Sequence, residues 1–139
     1  MSLAKKYKEL SSLSPLEESQ AVQKYTDDKT NFGYDNKHDI LQDLYNEIDE
    51  LKIELDAHDK NKKNNTKRIF EELGDVIFVI GNLANRYNIN SADALKYSIK
   101  EFERRMIYCE TNYKGENLKN APKEEMIRLW KEAKSKNNL

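Results

Sequence analysis

A regular spacing of apolar residues between positions 37 and 58 is the feature that most restricts the fold of this chain. Apolar side chains recur there at intervals of three, four, three and four residues, at Leu41, Leu44, Ile48, Leu51 and Leu55. This interval follows the turn of an α-helix and places the five side chains on one face. The segment is therefore predicted to be a long amphipathic helix that buries this face.

Three further segments carry helix signals. Ser14 followed by Pro15 is typical of a helix N-terminus, because serine caps the first turn and proline fits its first position. Asn90 precedes a segment whose apolar residues again step by four and three, and Gly115 is expected to end that helix. Pro122 opens a last, short helix. Met1, Ser2 and Leu3 are assigned no role, since these residues resemble an expression remnant.

The segment from about 66 to 87 predicts the most apolar helix. Its centre, residues 73–81, is apolar on nearly every side, which is typical of a helix buried between neighbours. Gly74 and Gly81 are seven residues apart, so they share a face at which another backbone is expected to come close. No segment alternates with a period of two. The chain is therefore predicted to be all-α, a four-helix bundle with an additional C-terminal helix.

Length and charge limit the classes of function. The 139 residues suit one domain, and 24 Lys and Arg against 25 Asp and Glu give a net charge of -1. A protein that binds nucleic acid through phosphate contacts has a basic excess, so nucleic acid is not expected as a partner. The longest apolar run, 76–80, is far too short to span a membrane, and Cys109 has no cysteine to pair with. With no leader sequence recognised, we expect a soluble, cytoplasmic, reduced protein without a membrane partner.

Two pairs of carboxylates could carry chemistry. Glu47 with Glu50, and Glu72 with Asp75, are each spaced three residues apart, so both members of a pair lie on one helix face. Each pair borders or enters an apolar stripe. Packing the two helices together would therefore bring four acids into one small, partly dry volume.

The repulsion within such a group is large. At a separation of about 4 to 5 Å and an effective dielectric constant of about 20, each pair of like charges costs about 3 to 4 kcal/mol. Protonation or a bound cation must relieve it, and oxygen ligands without histidine or cysteine favour Mg²⁺ or Mn²⁺. The alternative is that each acid faces solvent beside a lysine or arginine. Asp75 argues against this alternative, because it opens an apolar run in which an unpaired charge is expensive.

The order of motifs along the chain resembles a known enzyme family. In sequence order they are Phe32-Gly33-Tyr34-Asp35, Asn46-Glu47 with Glu50, Glu71-Glu72-Leu73-Gly74-Asp75, Phe102 with Arg104-Arg105, and Glu125-Met126 continuing through Trp130 to Lys134. This order is similar to that of the MazG family of nucleoside triphosphate pyrophosphohydrolases. The resemblance extends over residues 14–134, which would be the core of a single domain formed by residues 1–139.

The resemblance implies an all-α, Mg²⁺-dependent enzyme, with Mn²⁺ as a possible substitute, that cleaves a nucleoside triphosphate between its α- and β-phosphates. The residues that it implies as metal ligands and catalytic acids are Glu47, Glu50, Glu72 and Asp75. Those that it implies for nucleotide binding are Arg104, Arg105, Lys134, Trp130 and, more weakly, Arg68, which lies one turn before Glu72. Trp130 has an equally simple interpretation as a core residue of the last helix.

The resemblance also implies a homodimer or a higher oligomer. The residues support this independently, because the helix at 66–87 is apolar on more sides than one layer of helices covers. A second copy of the chain is therefore the expected partner, besides the nucleotide.

Two departures from the family pattern affect the expected mechanism. Asn46 stands where many members have a glutamate, so Glu47, Glu71 or another nearby acid would have to serve as general base if a carboxylate base is required. Glu101 introduces a negative charge close to the arginines that the resemblance assigns to phosphate. Two alternatives therefore stay open: a catalytically weak protein that binds Mg²⁺ and nucleotide, and a structural helical bundle.

Overall fold

The computed structural model describes residues 1–61 and 64–136 and is all-α, as predicted. In this part of the chain the α-helices are α1 Leu3–Leu10, α2 Pro15–Lys29, α3 Lys37–Asn61, α4 Thr66–Arg86, α5 Ser91–Asn112 and α6 Lys123–Ser135. A short 3-10 turn at Leu118–Asn120 precedes α6, and no strand is present among the described residues. The five predicted helices are confirmed, and α1 is an addition. The predicted burial of the apolar face of α3 is wrong at Ile48 and Leu55, which are exposed at 44% and 43%.

Backbone contacts group the chain into two units, Met1–Asp93 and the residues from Ala94 onward. Each unit has its own small core. Ile40 and Val79 are buried in the first unit, whereas Cys109, Leu129 and Ala133 are fully buried in the second. The helices of the two units are described separately below. None of the helices in the described residues combines the length and the apolar character that crossing a membrane requires.

Helix α4 is the centre of the first unit, because it packs against both α2 and α3. The pairing of α3 with α4 is antiparallel. Near the turn between them, the side-chain amide of Asn65 donates to the backbone oxygen and to Oε2 of Glu54, each at 2.8 Å. Farther from the turn, Glu47 and Glu50 of α3 lie beside Glu72 of α4.

Side-chain amides of α2 hydrogen-bond to α4 and to the residues that follow it. The side-chain amide of Gln23, which is buried, donates to the backbone oxygen of Phe78 at 2.8 Å. One turn earlier, Gln20 donates to Asn85 and to the backbone oxygen of Ile89, at 3.1 and 2.7 Å. Such bonds satisfy polar groups that would be costly to bury alone, and they fix the register of α2 against α4.

Helix α1 was not predicted from the sequence. Ser2 caps it by accepting a hydrogen bond from the backbone of Lys5 at 3.2 Å, and Tyr7 shares a 2.6 Å hydrogen bond with Thr26 of α2. The signal was present in Leu3, Tyr7 and Leu10, which are spaced by four and three residues. A single helical repeat of eight residues is marginal without tertiary contacts, which explains why the sequence alone did not distinguish it.

The predicted burial of α4 on nearly every side is wrong for one face. Phe70, Leu73, Ile77 and Ile80 are exposed at 76%, 47%, 48% and 42%. These four residues, spaced by three, four and three, form what we call the α4 apolar stripe. In contrast, Val79, Gly81 and Asn82 of the same helix are buried.

The two glycines of α4 differ in their surroundings, although a close approach of another element was predicted at both. A Cβ atom added at Gly81 would lie 2.8 Å from Oγ of Ser19 and 3.1 Å from Nε2 of Gln23, so the close approach of α2 is confirmed there. A Cβ atom at Gly74 would meet nothing within 4 Å. The predicted close approach at Gly74 is therefore wrong within this chain.

Alanine substitutions at these glycines should change stability in opposite directions. Gly74→Ala adds helix propensity without a clash and should increase the free energy of unfolding by up to about 1 kcal/mol. Gly81→Ala should reduce it by about 1 kcal/mol or more, because the new methyl group displaces the buried Gln23 amide from α4. Urea denaturation of the two variants measures both values. Equal changes in the two variants would contradict the packing of α2 against Gly81.

Candidate functional site

Three of the four predicted acids meet where α3 packs against α4. Glu47 and Glu50 of α3 and Glu72 of α4 each offer a carboxylate oxygen, and these oxygens all lie within 4.8 Å of one another. Glu47 and Glu72 are partly buried, whereas Glu50 is exposed. The antiparallel pairing of the helices thus produces the acid cluster that the two spacings predicted.

Asp75, the fourth predicted acid, lies outside this group of three but acts on it. Its charge contributes to raising the pKa of both Glu47 and Glu72. Asp75 is exposed at its position one turn after Glu72. It therefore borders the cluster on the open side.

Two oxygens of the cluster have no partner among the described residues. Oε2 of Glu47 and Oε2 of Glu72 are both buried and accept no hydrogen bond. Burial raises the pKa of Glu47 to about 7, helped by the charge and hydrogen bond of Glu50 and by the charges of Asp75 and Glu72. Burial and the neighbouring acids likewise raise the pKa of Glu72. A buried carboxylate oxygen without a donor is an incomplete arrangement, which a cation would complete.

The acids at either end of the same edge of α3 have partners. Tyr34 donates its hydroxyl hydrogen to Oδ2 of Asp43 at 2.6 Å, one turn before Glu47. At the other end, Glu54 accepts from Asn65 and lies 4.0 Å from Arg68. The absence of a donor is thus confined to the middle of the edge, where the cluster lies.

The donor set fits a hard divalent cation. All its candidate ligands are carboxylate oxygens, and Mg²⁺ and Mn²⁺ prefer oxygen ligands. Among residues 1–61 and 64–136, no lysine or arginine pairs with the three acids, whose charges repel one another. Within that part of the chain, the alternative in which these acids form surface ion pairs does not describe Glu47 and Glu72.

The two residues next to the cluster in sequence point to solvent. Asn46 is exposed and accepts a hydrogen bond from Gln42 at 3.0 Å. Glu71 is exposed and lies 4.0 Å from Lys67. Neither belongs to the group of three carboxylates.

The arginines predicted to bind phosphate lie in the second unit and bind Glu101. Arg104 donates to both oxygens of Glu101, each at 3.2 Å, and Arg105 donates to Oε2 at 3.3 Å. The two guanidinium groups, Arg104 first, lower the pKa of Glu101. Arg104 also donates to the backbone oxygens of Ala133 and Lys136, at the end of α6. The negative charge of Glu101 is therefore neutralised locally, which the sequence did not reveal.

Trp130 lies beside these arginines and is partly buried. Its ring centroid is 5.6 Å from that of Phe102 and 5.5 Å from the guanidinium carbon of Arg105. Nε of Arg105 is buried and has no partner among the described residues. Lys134 is exposed near the end of α6, and Arg68 is exposed on α4. Leu129 and Ala133 fill the core positions of α6 instead.

Sequence reasoning missed Tyr34 as part of this region. Its hydroxyl group holds Asp43, and burial together with the acids around it raises the pKa of Tyr34. The signal was the position of Tyr34 in the Phe32-Gly33-Tyr34-Asp35 motif, which had no role attached to it.

Comparison with known proteins gives two findings. A family model described as the MazG nucleotide pyrophosphohydrolase domain matches residues 35–109, which are more than half of the chain and include the acid cluster. In addition, 65 residues are 38% identical to the uncharacterized protein YabN of Bacillus subtilis (strain 168). That alignment covers 45% of this chain but only 13% of YabN, so the chain spans a small part of that relative. Trp130 and Lys134 lie beyond the residues that the family model matches.

The cluster predicts an unusual pH dependence of stability without metal. Glu47 has a pKa of about 7 in the folded protein and 4.5 as its ordinary value, so the folded state binds more protons between these pH values. The free energy of unfolding should therefore fall as the pH rises from 4.5 to 7 and level off above. Thermal melts in a chelating buffer should show a midpoint that decreases by several degrees over this range. Glu47→Gln should reduce the decrease, with the remainder due to Glu72, whose pKa is also raised, whereas the exposed neighbour change Asp49→Asn should preserve it.

Mg²⁺ should restore the free energy of unfolding that is lost as the pH rises, because it binds the deprotonated carboxylates of the folded state alone. At a concentration about 100 times its Kd, the gain in unfolding free energy is about 2.7 kcal/mol. The midpoint of wild type and of Asp49→Asn should rise with millimolar Mg²⁺ at pH 8, and the rise should shrink in Glu50→Gln and Asp75→Asn. An undiminished rise in both of these variants would show that the metal binds elsewhere.

Proposed function

Because the chain belongs to the MazG nucleotide pyrophosphohydrolase domain family, we propose that it hydrolyses nucleoside triphosphates in a Mg²⁺-dependent reaction. The bond cleaved is the one between the α- and β-phosphates, and the products are a nucleoside monophosphate and pyrophosphate. The observation that carries the proposal is the cluster of Glu47, Glu50 and Glu72, with two buried oxygens that lack a partner, inside the family-matched residues.

The acids of the cluster, with Asp75 beside them, would hold the metal. A triphosphate carries about four negative charges near neutral pH, so carboxylates repel it unless a cation lies between them. Bound Mg²⁺ supplies charge neutralisation and polarises the phosphoryl oxygens. Helices α3 and α4 hold the four carboxylates in place, because helical spacing fixes the separation within each pair. The partial burial of Glu47 and Glu72 limits the access of bulk water to these two residues.

Glu71 is our candidate for the group that accepts the proton of the attacking water. It lies next to Glu72 in sequence but outside the cluster, and its ion pair with Lys67 is long and exposed. Asn46 can orient water by hydrogen bonding but cannot take up its proton. The resemblance assigns phosphate binding to Arg68, Arg104, Arg105 and Lys134 and base binding to Trp130. Of these residues, Arg68 lies in the same unit as the cluster.

A second candidate function is the binding of Mg²⁺ and nucleotide without turnover. Asn46 favours it, because its carbonyl oxygen accepts from Gln42 and no carboxylate replaces it at that position. The two functions differ in their products. Incubation with a panel of nucleoside triphosphates and Mg²⁺, followed by chromatography, should show monophosphate and pyrophosphate in equal amounts. Nucleotide-induced thermal stabilisation without products would support binding without turnover. The absence of both stabilisation and products would support a structural helical bundle.

Substitutions of the two residues outside the cluster should separate catalysis from metal binding. General-base assistance contributes about 10² to 10⁴-fold to rate. Glu71→Gln should lower kcat within that range while it preserves the increase in melting temperature with Mg²⁺. Asn46→Glu should raise kcat at saturating Mg²⁺ if it supplies a second base. Glu103→Gln, an exposed change on α5, is the control. An unchanged kcat in Glu71→Gln would assign the base to another residue.

The proposal includes a homodimer. The α4 apolar stripe consists of four large side chains in helical register, all at least 42% exposed. Such a face on the central helix of a unit is expensive in water and is typical of a surface that pairs with a second helix. Gly74, which meets nothing within 4 Å, lies next to Leu73 of the stripe and leaves room for a close approach.

A charge in the middle of the α4 apolar stripe should prevent this assembly. Ile77→Arg should yield a monomer by light scattering at micromolar concentration, where wild type gives a dimer or a larger oligomer. Ile107→Arg, on α5, changes a side chain that is even more exposed, at 61%, and should leave the oligomeric state unchanged. A monomeric wild type would contradict the proposed dimer.

A further inference from the structure

Two arginines of α5 share a single carboxylate, which leaves their group with a net positive charge. Glu101 pairs with Arg104 at 3.2 Å and with Arg105 at 3.3 Å. Among residues 1–61 and 64–136, no other acidic side chain pairs with either arginine. The three side chains are also sheltered from water, with exposed fractions of only 20% to 24%. Their charges are therefore screened less than those of a fully exposed ion pair.

Glu101 binds Arg104 with the geometry that a phosphoryl group would use. Nε of Arg104 donates to Oε1, and Nη2 of Arg104 donates to Oε2, each at 3.2 Å. A guanidinium group binds carboxylates and phosphates through this same pair of parallel hydrogen bonds. Glu101 and an external phosphate therefore cannot occupy this edge of Arg104 together.

Arg105 retains a donor that Glu101 does not use. Nε of Arg105 is buried and has no hydrogen-bond partner among the described residues. The contact of Arg105 with Glu101 is made instead through Nη2, at 3.3 Å. A buried donor without an acceptor costs free energy, which an anion with several oxygens would recover. The group thus combines a surplus of positive charge with an unsatisfied donor.

We propose that Glu101 is an internal competitor for a phosphate site formed by Arg104 and Arg105. A polyphosphate takes the place of the carboxylate on Arg104 and accepts from Nε of Arg105. The resemblance assigns the two arginines to phosphate, but Glu101 departs from the family pattern, so the competitor is a property of this chain. For the substrate, the proposal rests on the proposed function.

The competitor selects anions by their charge. Glu101 is attached to the same helix as the arginines, so its effective concentration at them is high. A free monocarboxylate such as acetate gains nothing over Glu101 in charge or in hydrogen bonds and does not displace it. Pyrophosphate carries several negative charges and more acceptor oxygens, so it does. Glu101 thereby lowers the affinity for every phosphate chain and excludes singly charged anions.

Fluorescence of Trp130 tests the competitor without metal or turnover. Trp130 is the only tryptophan of the chain, and the guanidinium carbon of Arg105 lies 5.5 Å from its ring centroid. Pyrophosphate should change this fluorescence, and its Kd should be about tenfold lower in Glu101→Gln, which keeps an acceptor oxygen but loses the charge. Glu103→Gln removes the same charge from an exposed position of α5 and should leave the Kd within about twofold of wild type.

Two results of this titration would overturn the inference. One is an equal affinity of wild type and Glu101→Gln for pyrophosphate at matched ionic strength, and the other is the absence of binding to both. Acetate at the same ionic strength should leave the wild-type fluorescence unchanged. A response to acetate equal to that to pyrophosphate would contradict the selection by charge.

An NMR titration of wild type tests the displacement without a variant. Pyrophosphate should shift the Nε–H resonance of Arg104, because the carboxylate of Glu101 leaves it, and also that of Arg105. A shift at Arg105 alone would show that Glu101 stays in place, which would overturn the competitor.

Turnover separates failure of the competitor from failure of the proposed function. Glu101→Gln should lower KM for a nucleoside triphosphate about tenfold and leave kcat close to wild type, since Glu101 acts on binding alone. If Glu101→Gln binds pyrophosphate more tightly but no triphosphate is hydrolysed, the hydrolase proposal fails and the competitor stands. If triphosphates are hydrolysed and Glu101→Gln changes neither KM nor the Kd for pyrophosphate, the hydrolase proposal stands and the competitor fails.

Discussion

The repulsion among carboxylates where α3 packs against α4 is the constraint on which the rest of this structure depends. Glu47, Glu50 and Glu72 have oxygens within 4.8 Å of one another, and two of these residues bury an oxygen that has no partner among the described residues. The two helices nevertheless pack closely against each other, and the Asn65 hydrogen bonds to Glu54 join the start of α4 to α3. The helix pair thus holds an unfavourable arrangement that a cation would make favourable, which is typical of a binding site.

A second group of charges, in which opposite charges pair with each other, contrasts with the acid cluster. Glu101 accepts from Arg104 and Arg105, and Arg104 also binds the end of α6. Charges of opposite sign pair there, so no cation is needed, and the second guanidinium group leaves a net positive charge. A strongly charged sequence does not by itself indicate a metal site. The distinguishing property of the α3 and α4 cluster is that its members share one sign and that the acids at both ends of its edge have donors.

The sequence was sufficient for the features that depend on helical periodicity. It predicted five of the helices and the meeting of Glu47, Glu50 and Glu72, because spacing by three and four residues determines which side chains share a face. It was insufficient for features that depend on tertiary contacts. The exposure of Ile77, the open space at Gly74 and the pairing of Glu101 depend on which helix lies opposite, and periodicity does not contain that information.

Helix α4 shows how one element meets several demands at once. Gly81 leaves room for side chains of α2, Glu72 contributes to the cluster, Asn82 is buried, and Ile77 belongs to the α4 apolar stripe. The residues with these roles lie on different faces of one helix, so a substitution on one face need not disturb another. The exception is rotation of the helix about its axis, which would move all four faces together. The buried Gln23 bond to the backbone of Phe78 fixes that rotation, and through it α2 determines where the acids of α4 lie.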